Sequence, residues 1–220
     1  MKAFHNDPLI KEYYFTRLNE HYQADEIIKG KYWENGKGCA VGCTVHSSNH
    51  NKYELELGIP KSIAHLQDTI FENLPNKLAK EFPIQFLSAI KVGADLKKVN
   101  NLFTIWVLTD EKYGVLQYAD NKKIVQDVAD AFTRDMVNTV SVEEWLKLRK
   151  IATAAAYSVA AAATSIGSAY YAAYSAASYS AVAAVDSSYY AAAAYSVENT
   201  KSEWYIAASN KLIELLKNAN

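Results

Sequence analysis

Apolar residues recur at three- and four-residue spacing along most of this chain. That spacing is the mark of helices with one buried face. Asp7 caps and Pro8 fits a first helical turn, so a helix is predicted from Pro8 to about Ile28, with Leu9, Tyr13, Leu18, Tyr22 and Ile27/Ile28 as its buried stripe. Trp33 to Gly38 reads as a turn. Cys39 to Val45 is a short apolar segment that fits a helix or a strand, and Gly58-Ile59-Pro60 is a break. Ser62 to Leu74 carries Ile63, Leu66, Ile70 and Leu74 on one helical face. Pro75 and Pro83 are expected to open further short helices, with Phe82, Phe86, Leu87 and Ile90 in the core. Gly93 to Leu108 reads as another helix. Its apolar second half, Leu102 to Leu108, also suits a strand paired with Gly114 to Tyr118 in one hairpin. Ile124 to Val137 is predicted helical.

Ser141-Val142-Glu143-Glu144 is a capping box, and it opens a long helix striped by Trp145, Leu148, Ala152, Ala155, Val159, Ala162 and Ile166. Residues 151–185 hold 16 Ala, 6 Ser and 5 Tyr and no charged side chain. Gly167-Ser168 and Asp186-Ser187-Ser188 are natural breaks. The run Ser168-Ala169-Tyr170-Tyr171-Ala172-Ala173 recurs as Ser187-Ser188-Tyr189-Tyr190-Ala191-Ala192. Silk-like stacking also suits Ala, Ser and Tyr, but the capping box feeds straight into the best helix former. The expected fold is therefore all-α or mostly α, with one optional hairpin near 102–118. A compact helical domain is expected over 1–140. An Ala/Ser/Tyr-rich element of two or three antiparallel helices is expected over 141–220.

Composition narrows the function classes. The chain has 220 residues and a net charge of −1, which is not the overall signature of a nucleic-acid binder. Residues 1–150 hold 20 basic and 20 acidic side chains, and residues 151–220 hold 3 and 4, so titratable chemistry is concentrated in the first part. The uncharged run is long enough for a bilayer, but its Ser and Tyr content argues against a membrane span. Two Cys and no apolar leader point to free thiols in a cytoplasmic setting.

Cys39, Cys43, His46 and His50 are the densest group of soft and imidazole ligands, and their spacing invites a zinc reading. Along one helix Cys39 and His50 would lie about 16 Å apart, so one ion needs a bend at 47–49 or a ligand such as His21. The plainer reading is two buried thiols beside a surface histidine pair. For thiol catalysis, Lys37 and a helix start would lower the Cys39 pKa. Cys39 or Cys43 would act as nucleophile, with His21 as base and Asp25 as its orienter. A surface pair explains His21/Asp25 equally well. Gly36-Lys37-Gly38 ahead of a helix is a candidate anion site, although a turn accounts for it too. Glu54/Glu56, and Asp68/Glu72 with His65 nearby, read as solvated helix faces. Half of the chain's 16 Tyr, from Tyr157 to Tyr195, lie in the tail, where they suit an interface or a packed seam.

The segments Gly36-Lys37-Gly38-Cys39-Ala40-Val41-Gly42-Cys43-Thr44-Val45-His46, Glu56-Leu57-Gly58-Ile59-Pro60, Ile70-Phe71-Glu72-Asn73-Leu74-Pro75 and Gly93-Ala94-Asp95-Leu96 resemble a family of uncharacterised bacterial and phage proteins with an Ala-rich tail. The resemblance covers roughly residues 15–150 by motif. It implies a bacterial or phage cytoplasmic setting and carries over no catalytic residue. The tail here is richer in Tyr and Ser and poorer in charge than that pattern. The expected function is a non-enzymatic binding or interaction module, with the tail as a self-association or partner surface. A thiol-dependent enzyme centred on Cys39/Cys43 is the rival, and a zinc-stabilised module is a third reading. No cofactor other than zinc is suggested.

Overall fold

A computed structural model describes residues 1–159, 172–176 and 200–220. Its elements are helical apart from one small hairpin. In order they are α1 (Pro8–Gln23), β1 (Trp33–Glu34), β2 (Lys37–Gly38), α2 (Ala40–Val45), α3 (Asn51–Leu57), α4 (Lys61–Asn73), α5 (Asn76–Ala89), α6 (Val99–Thr109), α7 (Lys122–Asp135), α8 (Val142–Val159) and α9 (Thr200–Asn218). The mostly-α expectation holds. The optional hairpin near 102–118 does not form. Leu102 to Leu108 lies inside α6, and Val115–Tyr118 is a short 3-10 helix. Backbone bonds within the segment, rather than across strands, satisfy this apolar stretch.

The chain divides into two compact units, 1–99 with 205–220, and 100–204. Residues 205–220 thus group with the first unit, whose internal boundary falls at 99–100. In the first unit, Ala3 donates its amide to Ala94 O at 2.9 Å, and Asp95 donates to Asn220 O at 2.9 Å. Both chain ends are thereby tied to the 93–95 loop.

Asp7 caps α1 by accepting from the Leu9 amide at 2.8 Å, as the sequence indicated. The helix stops at Gln23, and Asp25 takes a left-handed conformation. Its buried residues are Tyr14 and Leu18, whereas Leu9 and Tyr13 are 68% and 55% exposed. The expected stripe was therefore set one position off at its start. Pro83 lies within α5 instead of opening a helix. The core of this unit includes Phe71, Phe82, Phe86, Tyr53 and Leu57, all buried.

The segment expected only to turn is a tight hairpin. Trp33 pairs with Gly38 and Glu34 with Lys37, antiparallel. The two loop residues, Asn35 (φ 52°) and Gly36 (φ 80°), both have positive φ. That is the Asn-Gly turn whose twist matches paired strands. The hairpin lies directly on α2. A side-chain carbon placed on Gly42 would sit 1.6 Å from the Tyr32 carbonyl oxygen, so only glycine permits this approach.

In the second unit, Ser141 caps α8 by accepting from the Glu144 amide at 3.1 Å. Glu144 spends its carboxylate on Arg134 at 2.5 Å, so only half of the expected capping box forms. Trp145 packs on Phe132 with ring centres 4.8 Å apart. Trp204 donates to Tyr113 O at 3.0 Å beside Trp106. Trp145, Ala152 and Ala156 are the buried positions of α8 among the described side chains. The internal repeat and the breaks at 167–168 and 186–188 lie outside the described residues, save Ala172 and Ala173, which are buried. Of the tail tyrosines, Tyr174 is described, with the Arg149 guanidinium 5.9 Å from its ring centre.

Candidate functional site

The hairpin, the end of α1 and the end of α2 converge on the histidines. His21 lies in the last turn of α1. Five residues on, past the left-handed Asp25, Glu26 turns back and its Oε2 accepts from His21 Nδ1 at 2.6 Å. The other nitrogen of that ring, Nε2, is 2.7 Å from His46 Nε2. His46 caps α2 at φ 49° and ψ 48°, an uncommon conformation for a residue with a side chain. Trp33 of β1 stacks on the His46 ring at 4.5 Å and 10°. The hairpin therefore holds His46 in register with His21.

A carboxylate on one face of an imidazole fixes its tautomer and orientation. In the tautomer with the His21 proton on Nδ1, donated to Glu26, Nε2 is left to accept from His46 Nε2. The result is a continuous Glu26–His21–His46 chain. It forms one wall of an open cleft of about 660 Å³ that is also lined by Tyr13, Arg17 and Glu20. Arg17 donates to Thr44 O at 3.3 Å and to the Tyr13 hydroxyl, with its guanidinium over both Tyr13 and Tyr14. Burial holds His46 below the ordinary imidazole value, with Arg17, His21 and Lys52 acting in the same direction and Glu26 against it.

A second imidazole pair lies at the other end of the short α2–α3 connection. His50 Nε2 is 3.3 Å from Asp68 Oδ2, and the His50 ring stacks on His65 at 4.2 Å and 12°. Asp68 is 8% exposed, which corrects its reading as part of a solvated helix face. Glu56 likewise has partners: it accepts from the Tyr14 hydroxyl at 2.7 Å and pairs with Lys52 at 3.3 Å. Burial holds His65 below the ordinary imidazole value, and His50 and Lys61 act in the same direction.

The expected site residues are divided among these surroundings. Cys39 and Cys43 are both buried. The Cys43 thiol points to Gly38 O at 3.3 Å and Glu26 O at 3.6 Å. Burial pushes its pKa up to about 12. Burial, and then the Asp68 carboxylate beside it, pushes Cys39 above the ordinary thiol range, opposite to the lowering expected from Lys37 and a helix start. His21 pairs with Glu26, and Asp25 pairs instead with Lys80 and is 73% exposed. The structure therefore does not assemble Cys39 or Cys43 with His21 and Asp25 as one hydrogen-bonded set.

The zinc quartet also separates. His46 faces His21, His50 faces Asp68, and among the described residues no three of His, Cys, Asp and Glu gather in metal-holding geometry. In Gly36-Lys37-Gly38, the Gly38 amide is committed to Glu26 O at 3.1 Å, and Gly36 and Lys37 are exposed at the hairpin tip. The segment shapes a hairpin and does not converge its amides on an anion. Sequence reasoning passed over Glu26, Trp33, Arg17 and Glu20. Only Trp33 had a usable signal, the Asn35-Gly36 turn that folds it back on the chain.

No family model, no curated protein and no solved structure matches this chain.

Proposed function

We propose that the protein is a binding module whose ligand-facing feature is the cleft walled by Glu26, His21 and His46. The observation that carries this reading is an oriented imidazole chain on the wall of a cleft of about 660 Å³, within the size range of small-molecule sites. Arg17, Glu20 and His46 supply charge and hydrogen bonding, and Tyr13 supplies an aromatic face. The buried, protonated thiols favour binding over thiol chemistry in this unit. The bacterial or phage setting implied by the motif resemblance is part of the same proposal.

Ligand-observed NMR against a metabolite library tests the reading. Saturable binding to the wild type that is lost in Arg17→Gln and His46→Gln, but kept in Cys39→Ala and Cys43→Ala, supports it. Turnover that disappears on Cys39→Ala without loss of fold would replace it with the thiol enzyme.

A partner surface in the C-terminal region is a second reading. It is favoured by α8, where Val142, Leu146 and Ile151 are 74%, 53% and 41% exposed. None of its helices among the described residues is long and apolar enough to cross a membrane. Concentration-dependent mass by light scattering, abolished by Leu146→Glu, tests that surface. A mass that stays monomeric at all concentrations removes self-association.

A further inference from the structure

The connection between α2 and α3 is clipped at both ends by imidazole pairs. His46 opens it, bonded to His21 at 2.7 Å. His50 closes it, stacked on His65 at 4.2 Å. Four of the chain's five histidines are used in these two contacts. Each pair has one carboxylate on one ring, Glu26 on His21 and Asp68 on His50. Between the clips, the bonds of Ser47 and Asn49 are local. Asn49 donates its amide to Ser47 Oγ at 3.1 Å, and Asn51 donates to Asn49 Oδ1 at 3.0 Å.

An imidazole–imidazole hydrogen bond needs one nitrogen free to accept. A single proton on the pair leaves that acceptor in place, and the carboxylate is on hand to balance it. A second proton turns both rings into donors. The bond is then impossible, and two positive charges face each other at the same distance. The stacked His50–His65 pair meets the same limit, because two imidazolium rings would lie face to face. The groups around His46 are Arg17, Glu20 and His21 from α1, Glu26 from the following turn and Lys52 from α3. Around His50 and His65 they are Asp68 and Lys61 of α4, with Tyr32 edge-on to His50. Each pair thus has one closely bonded carboxylate, enough to balance one added proton but not two. His46 also occupies a left-handed conformation, φ 49°, which a residue with a side chain adopts at more cost than glycine.

We infer that the His21–His46 and His50–His65 pairs are proton-released latches that hold the 46–50 connection in place, and that acidification frees it. The device goes beyond the binding reading, because its readout needs no ligand. Freed, the connection withdraws His46 from the cleft wall and from Trp33.

Hydrogen exchange by mass spectrometry, corrected for the intrinsic pH dependence of exchange, tests this on the full chain between pH 7.5 and about pH 5. The expected result is at least an approximately fivefold rise in opening of peptides covering 45–53 on acidification, with peptides from α5 unchanged. His46→Phe with His65→Phe keeps a ring at each position but leaves no imidazole pair, and the step should vanish. No step in the wild type, or an equal step in the double variant, overturns the inference. NMR titration of the wild-type rings gives a check that needs no variant. The opening must share its midpoint with His46 and His65, and an unrelated midpoint also overturns it.

Discussion

Gly42→Ala is the sharpest probe of the hairpin's seat on α2. Gly42 is buried inside a helix without positive φ, so helix propensity alone favours alanine by about 1 kcal/mol. The tertiary structure opposes this. The added carbon would lie 1.6 Å from the Tyr32 oxygen and 2.7 Å from its carbonyl carbon, both backbone atoms. The strand must retreat by about 2 Å to restore ordinary contact. Three interactions travel with it. The Cys39 amide donates to Lys31 O at 2.7 Å and to Tyr32 O at 3.2 Å, and Trp33 stacks on His46 at 4.5 Å. Overpacking costs about 1–3 kcal/mol. A weakened hydrogen bond costs about 1 kcal/mol, and the lost stack about 0.5–1.5 kcal/mol. After the propensity gain, the net expectation is a loss of roughly 1.5–4.5 kcal/mol. Urea unfolding followed by circular dichroism should show a lower midpoint at an unchanged m-value. The His46 ring resonances should shift in the folded state. A Gly42→Ala protein as stable as the wild type, or more stable, would refute the seating of the hairpin.

Further outcomes follow from the same geometry. His46 and His65 are held below the ordinary imidazole value, so the unfolded chain binds protons that the folded one refuses. Their contribution is fully present above about pH 6.5 and is lost as pH falls through the folded values, so urea midpoints should drop on acidification and drop less in His65→Gln. Neither Cys39 nor Cys43 should react with a thiol reagent at neutral pH in the native protein, while both should react once urea unfolds it. Fast native labelling of Cys39 would contradict its burial. Ser141→Ala removes the acceptor of the Glu144 amide and should cost about 1 kcal/mol, read as a lower thermal midpoint, whereas an unchanged midpoint would mean that the cap contributes nothing.

Much of the fold was legible because it depends on local rules. The Asp7-Pro8 start of α1, the Ser141 cap of α8 and the stripe of α4 follow from capping chemistry and helical period, which need no information from distant residues. The Asn35-Gly36 hairpin was equally local, but it occupies only two residues per strand, too few for alternation to register. Where period alone was used near a helix start, it failed. Leu18 of the expected stripe is buried, yet Leu9 and Tyr13 before it are exposed and Tyr14 is the position that the rest of the unit covers.

The sequence by itself determined the helical class, the concentration of titratable groups before residue 150 and the presence of two free thiols. It also singled out the Cys39–His50 stretch as chemically dense. Only the tertiary structure decided the partners. His21 meets Glu26 and not Asp25, because the left-handed turn at Asp25 sends that side chain outward to Lys80. Cys39 meets Asp68, and His50 meets Asp68 and His65, across gaps that no helical spacing encodes. Hydrogen bonds and pKa values depend on ångström-scale distances through space. A sequence pattern fixes such distances within one helix and leaves them open between helices, and in this chain the candidate chemistry lies between helices.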